Sequence, residues 1–597
     1  MIKDNDVICS CNYNLGLLGE HILETLIDAK SRLLDPSHGM VIPHSAKLYG
    51  RPITSKWIAQ RNKVCVPHCE DFNENFAWES TIHRIRSLPS YDLDEIYSCE
   101  SISSIKDIRF ISDPIELTYI NLSEEPSEQH IQCHISSQID GHVDALASYF
   151  EMYLIDPSAI SSQEDWNLVS SHPEREKNGW DQAIFFSSKF SDYESTQEDM
   201  YRVQRGDVIE ITTSIIKYRL TFSWKNLTTP PISSLSSSPS SLPSTSYGNP
   251  QAILHVSESD MSLLNDIFRL HQYMKGACIC INDILASEKK ISVLELSTGV
   301  ISVVFMLHDM IRQGKALSVF DHRDMSEIIL SESRLLAPIE LSNFFCKLSE
   351  VLSIPINKNF EICNLIEPIV LDSIDTSNEF DLIICDIIES SGLIKQNILK
   401  NLKFAAEITS TVCNKRPRVI PSSISVVIAA IQCESLLQQQ SVQRRNTLDI
   451  DVSSCIDELG TSLLRELWLP TQSDLKFLSD HIVATSLELS SEHYESTSKV
   501  YLRMEESGTV HGIAFWYHIH INDTVYSRQH EAEDRIVIDT YMQNNHYRQA
   551  TFLLDFSEKV TKGDVLEIVV SIDETSGVFC SFEGRQEVNL VAHTSGN

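Results

Sequence analysis

The chain has 597 residues, 42% of them apolar, with 48 Lys and Arg against 83 Asp and Glu, a formal net charge of −35 and a pI near 4.9. That length implies several domains with cores of their own, and that charge repels phosphate backbones while attracting basic partners, so nucleic acid is not expected as a partner. No stretch reaches the roughly 18 uninterrupted apolar residues of a membrane helix, and MIKDNDVICSCNYN has no basic-then-apolar signal pattern, so no membrane partner is expected and the chain reads as soluble, cytoplasmic or nuclear or both.

In chain order, a strand-like DNDVICSC leads through the turn at LGLLGE into a helix, where Ile22, Leu23, Leu26, Ile27, Leu33 and Leu34 recur at helical spacing until Asp35 and Pro36 stop it. The next metal-like cluster, Cys65, His68 and Cys69, has no second Cys pair at zinc spacing, and no metal is expected. The 15 cysteines, scattered without an even framework, read as reduced thiols. Segments such as RLTFSW alternate with the period of half-buried antiparallel strands. A Ser/Pro tract at 228–250 cannot bury apolar surface and reads as a linker.

Beyond the tract the order of segments repeats. Gly16 and Gly392, Pro43 and Pro421, Gln182 and Gln549, and Asp207 and Asp564 match at offsets of 376, 378, 367 and 357. Between the tract and the second copy lies an α/β alternation: helical DMSLLNDIFRLHQYM, strand ISVLEL, helical VVFMLHDMIRQ, strand ALSVF and strand FDLIICDII. The expected organisation is a first module at 1–227 (last sheet strand, helix, β-barrel), the linker at 228–250, a degenerate Rossmann-like domain at 251–400 and a second β-barrel at 401–597. The first module reads as lacking most of its Rossmann half. VLELSTGVIS places Glu295 and Gly299 where a Gly-rich turn would hold a nucleotide-like cofactor, with Asp321 where a ribose acid would stand. One glycine is a thin cradle, and a plain βα turn explains the same residues.

The duplicated order of GLLGEHILETLIDA, MVIPHSAKLYG, DALASYFEMYL, GWDQAIFF and GDVIEI resembles the protein arginine N-methyltransferases, in their two-module form, over essentially the whole chain. The resemblance implies S-adenosylmethionine as cofactor, arginine-containing basic protein substrates, symmetric (type II) dimethylation, and two modules packed as an internal pseudo-dimer. It also implies two glutamates nine residues apart that grip the guanidinium. The second falls on Glu20, the expected catalytic residue, and the first on Cys11; in the second module the pair falls on Ile387 and Gln396. The wall of the arginine pocket falls on Asn178, Gly179 and Trp180, followed by Gln182, as substrate-binding residues, and in the second module on Asn545, His546 and Tyr547. Each has a plainer explanation: Glu20 suits a first helical turn whatever its function, Trp180 suits a core, and His518 and His520, alternating onto one strand face, suit barrel packing better than a metal pair. With Cys11, Ile387 and Gln396 lacking carboxylates and the first-module cofactor strands not found, the expectation is a family member inactive alone as written, from an N-terminally truncated sequence, or a scaffold for basic partners.

Overall fold

The structure, a computed structural model, describes residues 7–9, 17, 22–35, 39–62, 64, 91–93, 97–124, 128–159, 167–173, 180–186, 202–216, 219–228, 254–286, 291–296, 303, 306–308, 334–338, 360–363, 380–413, 416–438, 464–472, 474–491, 493–522, 536–542, 546–573 and 577–586. Contacts divide the chain into two units, residues 1–65 with 89–261 and residues 66–88 with 262–597. Most of the expected linker, and Cys65, His68 and Cys69, lie outside the described residues. Among the described residues no helix is long and apolar enough to cross a membrane, and no His, Cys, Asp and Glu cluster suits a metal ion.

In the first unit the apolar stripe of Ile22, Leu23 and Leu26 is buried by the helix Ile22–Leu33, as the spacing predicts. The chain then forms Met40–Ile42, parallel to Val7–Cys9, and crosses a cis Ile42–Pro43 bond into Ser45–Thr54. That strand is central in a seven-stranded sheet with Ala145–Tyr153, Gln182–Phe186 and Tyr97–Glu100 on one side and Arg109–Phe110 and Ile115–Asn121 on the other. A separate three-stranded antiparallel sheet runs Arg219–Asn226, Val208–Ile216, Gln129–Ser136. Leu48, Leu117 and Phe150 from the larger sheet and Ile209, Phe222 and Trp224 from the smaller fill one core. The expected β-barrel is thus two sheets sharing a core, with no ladder joining them among the described residues.

The second unit repeats this pattern behind an α/β layer. Five parallel strands stand in the order Phe360–Cys363, Arg334–Pro338, Ser292–Glu295, Leu382–Ile384, Arg418–Ile420. Chain order makes this a 3-2-1-4-5 sheet, the doubly wound arrangement that confirms a Rossmann-like layer. The last strand, Arg418–Ile420, carries the layer past the boundary expected at 400. After a cis Ile420–Pro421 bond, Ser423–Gln432 takes the central place in a second seven-stranded sheet, and Ser496–Arg503, Val565–Asp573 and Gly577–Gln586 form a second three-stranded one.

One expected element splits. DMSLLNDIFRLHQYM is two helices, Glu258–Asn265 and Ile267–Leu285, because Asp266 leaves helical geometry and caps the second through Oδ1, which accepts from Arg269 N at 3.0 Å.

Candidate functional site

In a doubly wound sheet, ligands gather at the carboxyl ends of the strands where the winding reverses, here between Ser292–Glu295 and Leu382–Ile384. Both strands end in an acid at this crevice. Glu295 closes the first, fully buried, its Oε1 accepting from Val303 N at 3.0 Å. Asp386 follows the second by two residues.

The helix Ile267–Leu285 brings a polar stripe to Asp386. From the cap at Asp266, Arg269 and Tyr273 follow at helical spacing on a largely buried face of the helix. Arg269 Nη2 lies 2.6 Å from Asp386 Oδ2, with side-chain exposures of 4% and 3%. Arg269 Nε donates to Tyr547 Oη at 3.0 Å, and that hydroxyl donates to Asp386 Oδ1 at 3.4 Å. The Arg269 guanidinium also lies 4.6 Å from the centre of the Tyr273 ring, whose hydroxyl donates to Cys385 O at 3.4 Å. Next to Tyr547, His546 Nδ1 lies 2.8 Å from Asp266 Oδ2.

Burial alone would raise the Asp386 carboxyl, but the Arg269 and Lys395 charges outweigh it and hold the group well below the carboxylate range. Arg269 is buried too, and the facing Asp386 charge keeps it protonated. Burial pushes the Tyr273 and Tyr547 phenols up. For His546 burial wins over Asp266 and lowers its pKa, so the ring is neutral near pH 7. Near pH 7 the ionised Asp386 therefore faces the Arg269 guanidinium among the neutral Tyr273, Tyr547 and His546 rings.

A hairpin sets the remaining geometry. Ile388 and Ile394 form an antiparallel bridge and Lys395 N donates to Ile387 O at 2.8 Å, which brings the return strand back beside the end of Leu382–Ile384. Lys395 Nζ thereby reaches Asp386 Oδ2 at 3.2 Å. At the tip Gly392 has φ +82° and lies under the Arg548 carbonyl, whose oxygen would stand 2.2 Å from a Cβ there. Only glycine permits that approach.

This hairpin corrects the match between the modules. The strand pairs Val7–Cys9 with Met40–Ile42 and Leu382–Ile384 with Arg418–Ile420 align Cys9 with Ile384. The residue matching Gly392 is then Leu17, which also has positive φ, +65°. The grip positions of the second module are Asp386 and Lys395 rather than Ile387, which is buried, and Gln396, which is exposed. The glycine at 16 draws the sequence match one residue off, because Leu17 adopts a backbone conformation usually left to glycine.

In the first unit Cys11 and Glu20 lie outside the described residues, and the helix begins two residues beyond Glu20, at Ile22. Gly299 and Asp321 lie outside them as well. Trp180 is half-buried with its ring edge-on to Phe150 at 5.6 Å, a core contact that leaves part of the indole accessible. Gln182 is buried and committed: its Oε1 accepts from Ile102 N at 3.0 Å, and its Nε2 donates to Ser171 O at 2.9 Å and Trp180 O at 3.3 Å. It braces the loop carrying Trp180 rather than presenting its amide to a ligand. Gln549 does the same below Tyr547, with Leu469 N, Thr540 O and Tyr547 O as partners at 3.1, 2.6 and 3.0 Å. His520 Nε2 meets Ser425 Oγ at 3.1 Å, and His518 Nε2 lies 3.7 Å from Asp539.

Arg269 and Asp386 were not singled out from the sequence. Their signal is the Asp266, Arg269, Tyr273 stripe at helical spacing, but the partners stand more than a hundred residues away.

Comparison with known proteins follows the same lines. The chain is 22% identical over 629 residues to protein arginine N-methyltransferase 9 of Xenopus laevis, covering 94% of this chain and 69% of that protein. It is 22% identical over 613 residues to protein arginine N-methyltransferase 9 of Homo sapiens, covering 93% and 68%. An arginine N(omega)-methyltransferase of Streptomyces achromogenes subsp. streptozoticus is 26% identical over 166 residues, or 27% of this chain and 40% of that one. Among solved structures, the Trypanosoma brucei PRMT1 enzyme-prozyme heterotetrameric complex with AdoHcy matches at 15% identity over 54% of this chain and 93% of that one, with a TM-score of 0.39, too low to bear on this fold. No protein-family profile matches.

Proposed function

We propose that this chain, a relative of the protein arginine N-methyltransferases similar to protein arginine N-methyltransferase 9, brings S-adenosylmethionine together with arginine-bearing protein segments and by itself transfers the methyl group poorly or not at all. One observation carries the second half: neither module holds two carboxylates at its grip positions, which are Cys11 and Glu20 in the first and Asp386 and Lys395 in the second. A guanidinium is oriented by two charge-assisted bonds that turn one terminal nitrogen toward the methyl group. With one carboxylate it is held but free to swing.

The residues at the crevice fit the cofactor in part. Arg269 Nη1 is buried and has no hydrogen-bond partner among the described residues, which is costly for a charged donor and suits an anion such as the cofactor's carboxylate. Glu295 stands at the strand end where open α/β sheets take the nucleotide part. When bound, the sulfonium supplies a methyl group ready for nucleophilic attack. Arg269 would hold the carboxylate, Asp386 and Tyr547 would fix Arg269, and the buried Tyr273 and Tyr547 rings would exclude water. In the first unit, by resemblance, Glu20 would take a substrate guanidinium with Trp180 as a wall, and the charge of −35 would draw basic segments. The product, by resemblance, is symmetric dimethylarginine, and the place of action the cytoplasm or nucleus.

A second reading, a scaffold for basic partners, is favoured by one feature: Asp386 is engaged from within by Arg269, Lys395 and Tyr547. Radiolabelled methyl transfer to arginine-rich peptides tests the proposal. No turnover is expected of the chain alone; turnover abolished by Glu20→Gln would refute the proposed inactivity. Calorimetry separates the two readings, since S-adenosylmethionine binding weakened about tenfold in Arg269→Lys, which keeps the charge but not the second nitrogen, supports the cofactor site. Absence of any binding leaves the scaffold.

A further inference from the structure

We infer that Lys395 is a specificity-determining residue that closes the acceptor side of the second unit against arginine, by placing its own ammonium on the carboxylate a guanidinium would need. The inference rests on the reading of Glu20 as an acceptor grip, because Lys395 holds the matching place. Strand register and the positive-φ residue of the turn fix that match independently: Cys9 with Ile384, and Leu17 with Gly392. Where the first module carries a negative charge, the second carries a positive one.

The plain alternative is a surface ion pair of little consequence, worth about 0–1 kcal/mol when both partners are solvated. The geometry argues otherwise. Lys395 is 16% exposed and Asp386 3%, so water screens the pair weakly. Asp386 is largely taken up from within: Oδ2 takes Arg269 Nη2 at 2.6 Å and Lys395 Nζ at 3.2 Å, and Oδ1 takes the Tyr547 hydroxyl at 3.4 Å. The nearby acid Asp266 is engaged by the His546 ring and backbone N–H and by Arg269 N. An arriving guanidinium would meet an ammonium and a guanidinium with no unpaired carboxylate, and like charges brought together in such a place cost several kcal/mol, roughly enough to abolish binding.

The hairpin lets the lysine's share of the exclusion be removed without touching the backbone. Its backbone bonds, Lys395 N to Ile387 O at 2.8 Å and Glu389 N to Leu393 O at 2.8 Å, do not involve the lysine amine. A carboxylate at 395 would stand beside Asp386 on the same frame, two acids nine residues apart as the family resemblance implies for a grip. With Arg269 and Tyr547 still on Asp386, the new acid at 395 would be the group that gains a guanidinium.

The test uses the full chain in a Glu20→Gln background, which silences the first module's proposed grip, and titrates N-acetyl-L-arginine amide by calorimetry. Glu20→Gln alone is expected to show no binding. Adding Lys395→Glu is expected to create one site per chain, at least about tenfold tighter than the background. Lys395→Met, which keeps length without charge, is expected to fall between them and serves as the deciding variant if Lys395→Glu fails to fold, as judged by circular dichroism and the urea midpoint. The inference is overturned if the Glu20→Gln chain already binds one equivalent of arginine that Asp386→Asn removes. It is overturned equally if a folded Lys395→Glu, or Lys395→Met when that variant decides, gains nothing. Failure of the acceptor-grip reading itself would show separately, as an unchanged arginine affinity on Glu20→Gln in the otherwise natural chain.

Discussion

The two modules keep a common frame and exchange the charges mounted on it. Below the first turn after the central strand, Ser55 N donates to Asp144 Oδ2 at 2.9 Å; at the matching place Cys433 N donates to His511 Nδ1 at 3.1 Å. Asp107 caps the helix Lys56–Asn62 through Trp57 N, and Asp474 caps Glu434–Gln438 through Ser435 N. Gln182 and Gln549 brace their loops alike. The backbone demands an acceptor at each of these points and is indifferent to whether it carries charge. The grip is different, because Cys11 and Glu20 correspond to Asp386 and Lys395 in the repeat and only the charge there decides what is held. The lesson is that structural duties conserve hydrogen-bonding capacity, while the site is where charge diverges.

The largest effect expected from breaking this contrast is at Asp386. Asp386→Asn leaves Arg269 and Lys395 without their common counter-charge in a buried place, and removal of one partner of such a group costs about 3–5 kcal/mol. Urea unfolding of the full chain should show the second unit's transition moved to lower denaturant by that amount. A loss below about 1 kcal/mol would mean the network is solvated and the two modules differ less than the geometry says.

Next comes the hairpin tip. Gly392→Ala puts a Cβ 2.2 Å from the Arg548 carbonyl oxygen at a φ of +82°, and the combination of clash and strain should cost about 2–4 kcal/mol. The matching Leu17 holds φ +65° with a buried side chain, so the first module tolerates a Cβ where the second does not. This difference also marks the limit of what could be read from the sequence. The repeat, the stripe of Ile22, Leu23 and Leu26 and the alternating strands were legible because they are local periodicities. The grip of the second module was not, since glycine identity drew the match to Gly16 while the fold uses Leu17. Nor was the Arg269 to Asp386 pair, which joins a helix to a strand end far along the chain. The α/β layer outran its expected boundary for a related reason: Arg418–Ile420 reads as the start of the next domain until its parallel pairing with Leu382–Ile384 is seen.

A smaller and equal effect is expected at the two braces. Gln182→Leu and Gln549→Leu each strip partners from buried backbone groups, at about 1–3 kcal/mol apiece. Equal losses in thermal or urea unfolding would support a shared structural duty. A loss of arginine binding in Gln182→Leu with stability intact would return Gln182 to the substrate site.

The smallest effect separates the modules by pH. His546 stands where the first module has Gly179, and burial holds its pKa below the ordinary histidine value of 6.5 despite Asp266. The unfolded chain therefore takes up the proton first as pH falls, so this ring's contribution is fully present above 6.5 and is lost below it, down to the lowered folded value. Arg269 and Asp386, which also face the ring, keep their charges through this window, so the slope of this ring cannot exceed about 1.4 kcal/mol per pH unit. Unfolding of the second unit measured from pH 7.5 to 5.5 should show the decline, and His546→Gln should flatten it while its amide N–H keeps a donor toward Asp266. An unchanged slope in that variant would assign the acid sensitivity to the other histidines of the unit and remove the pH contrast between the modules.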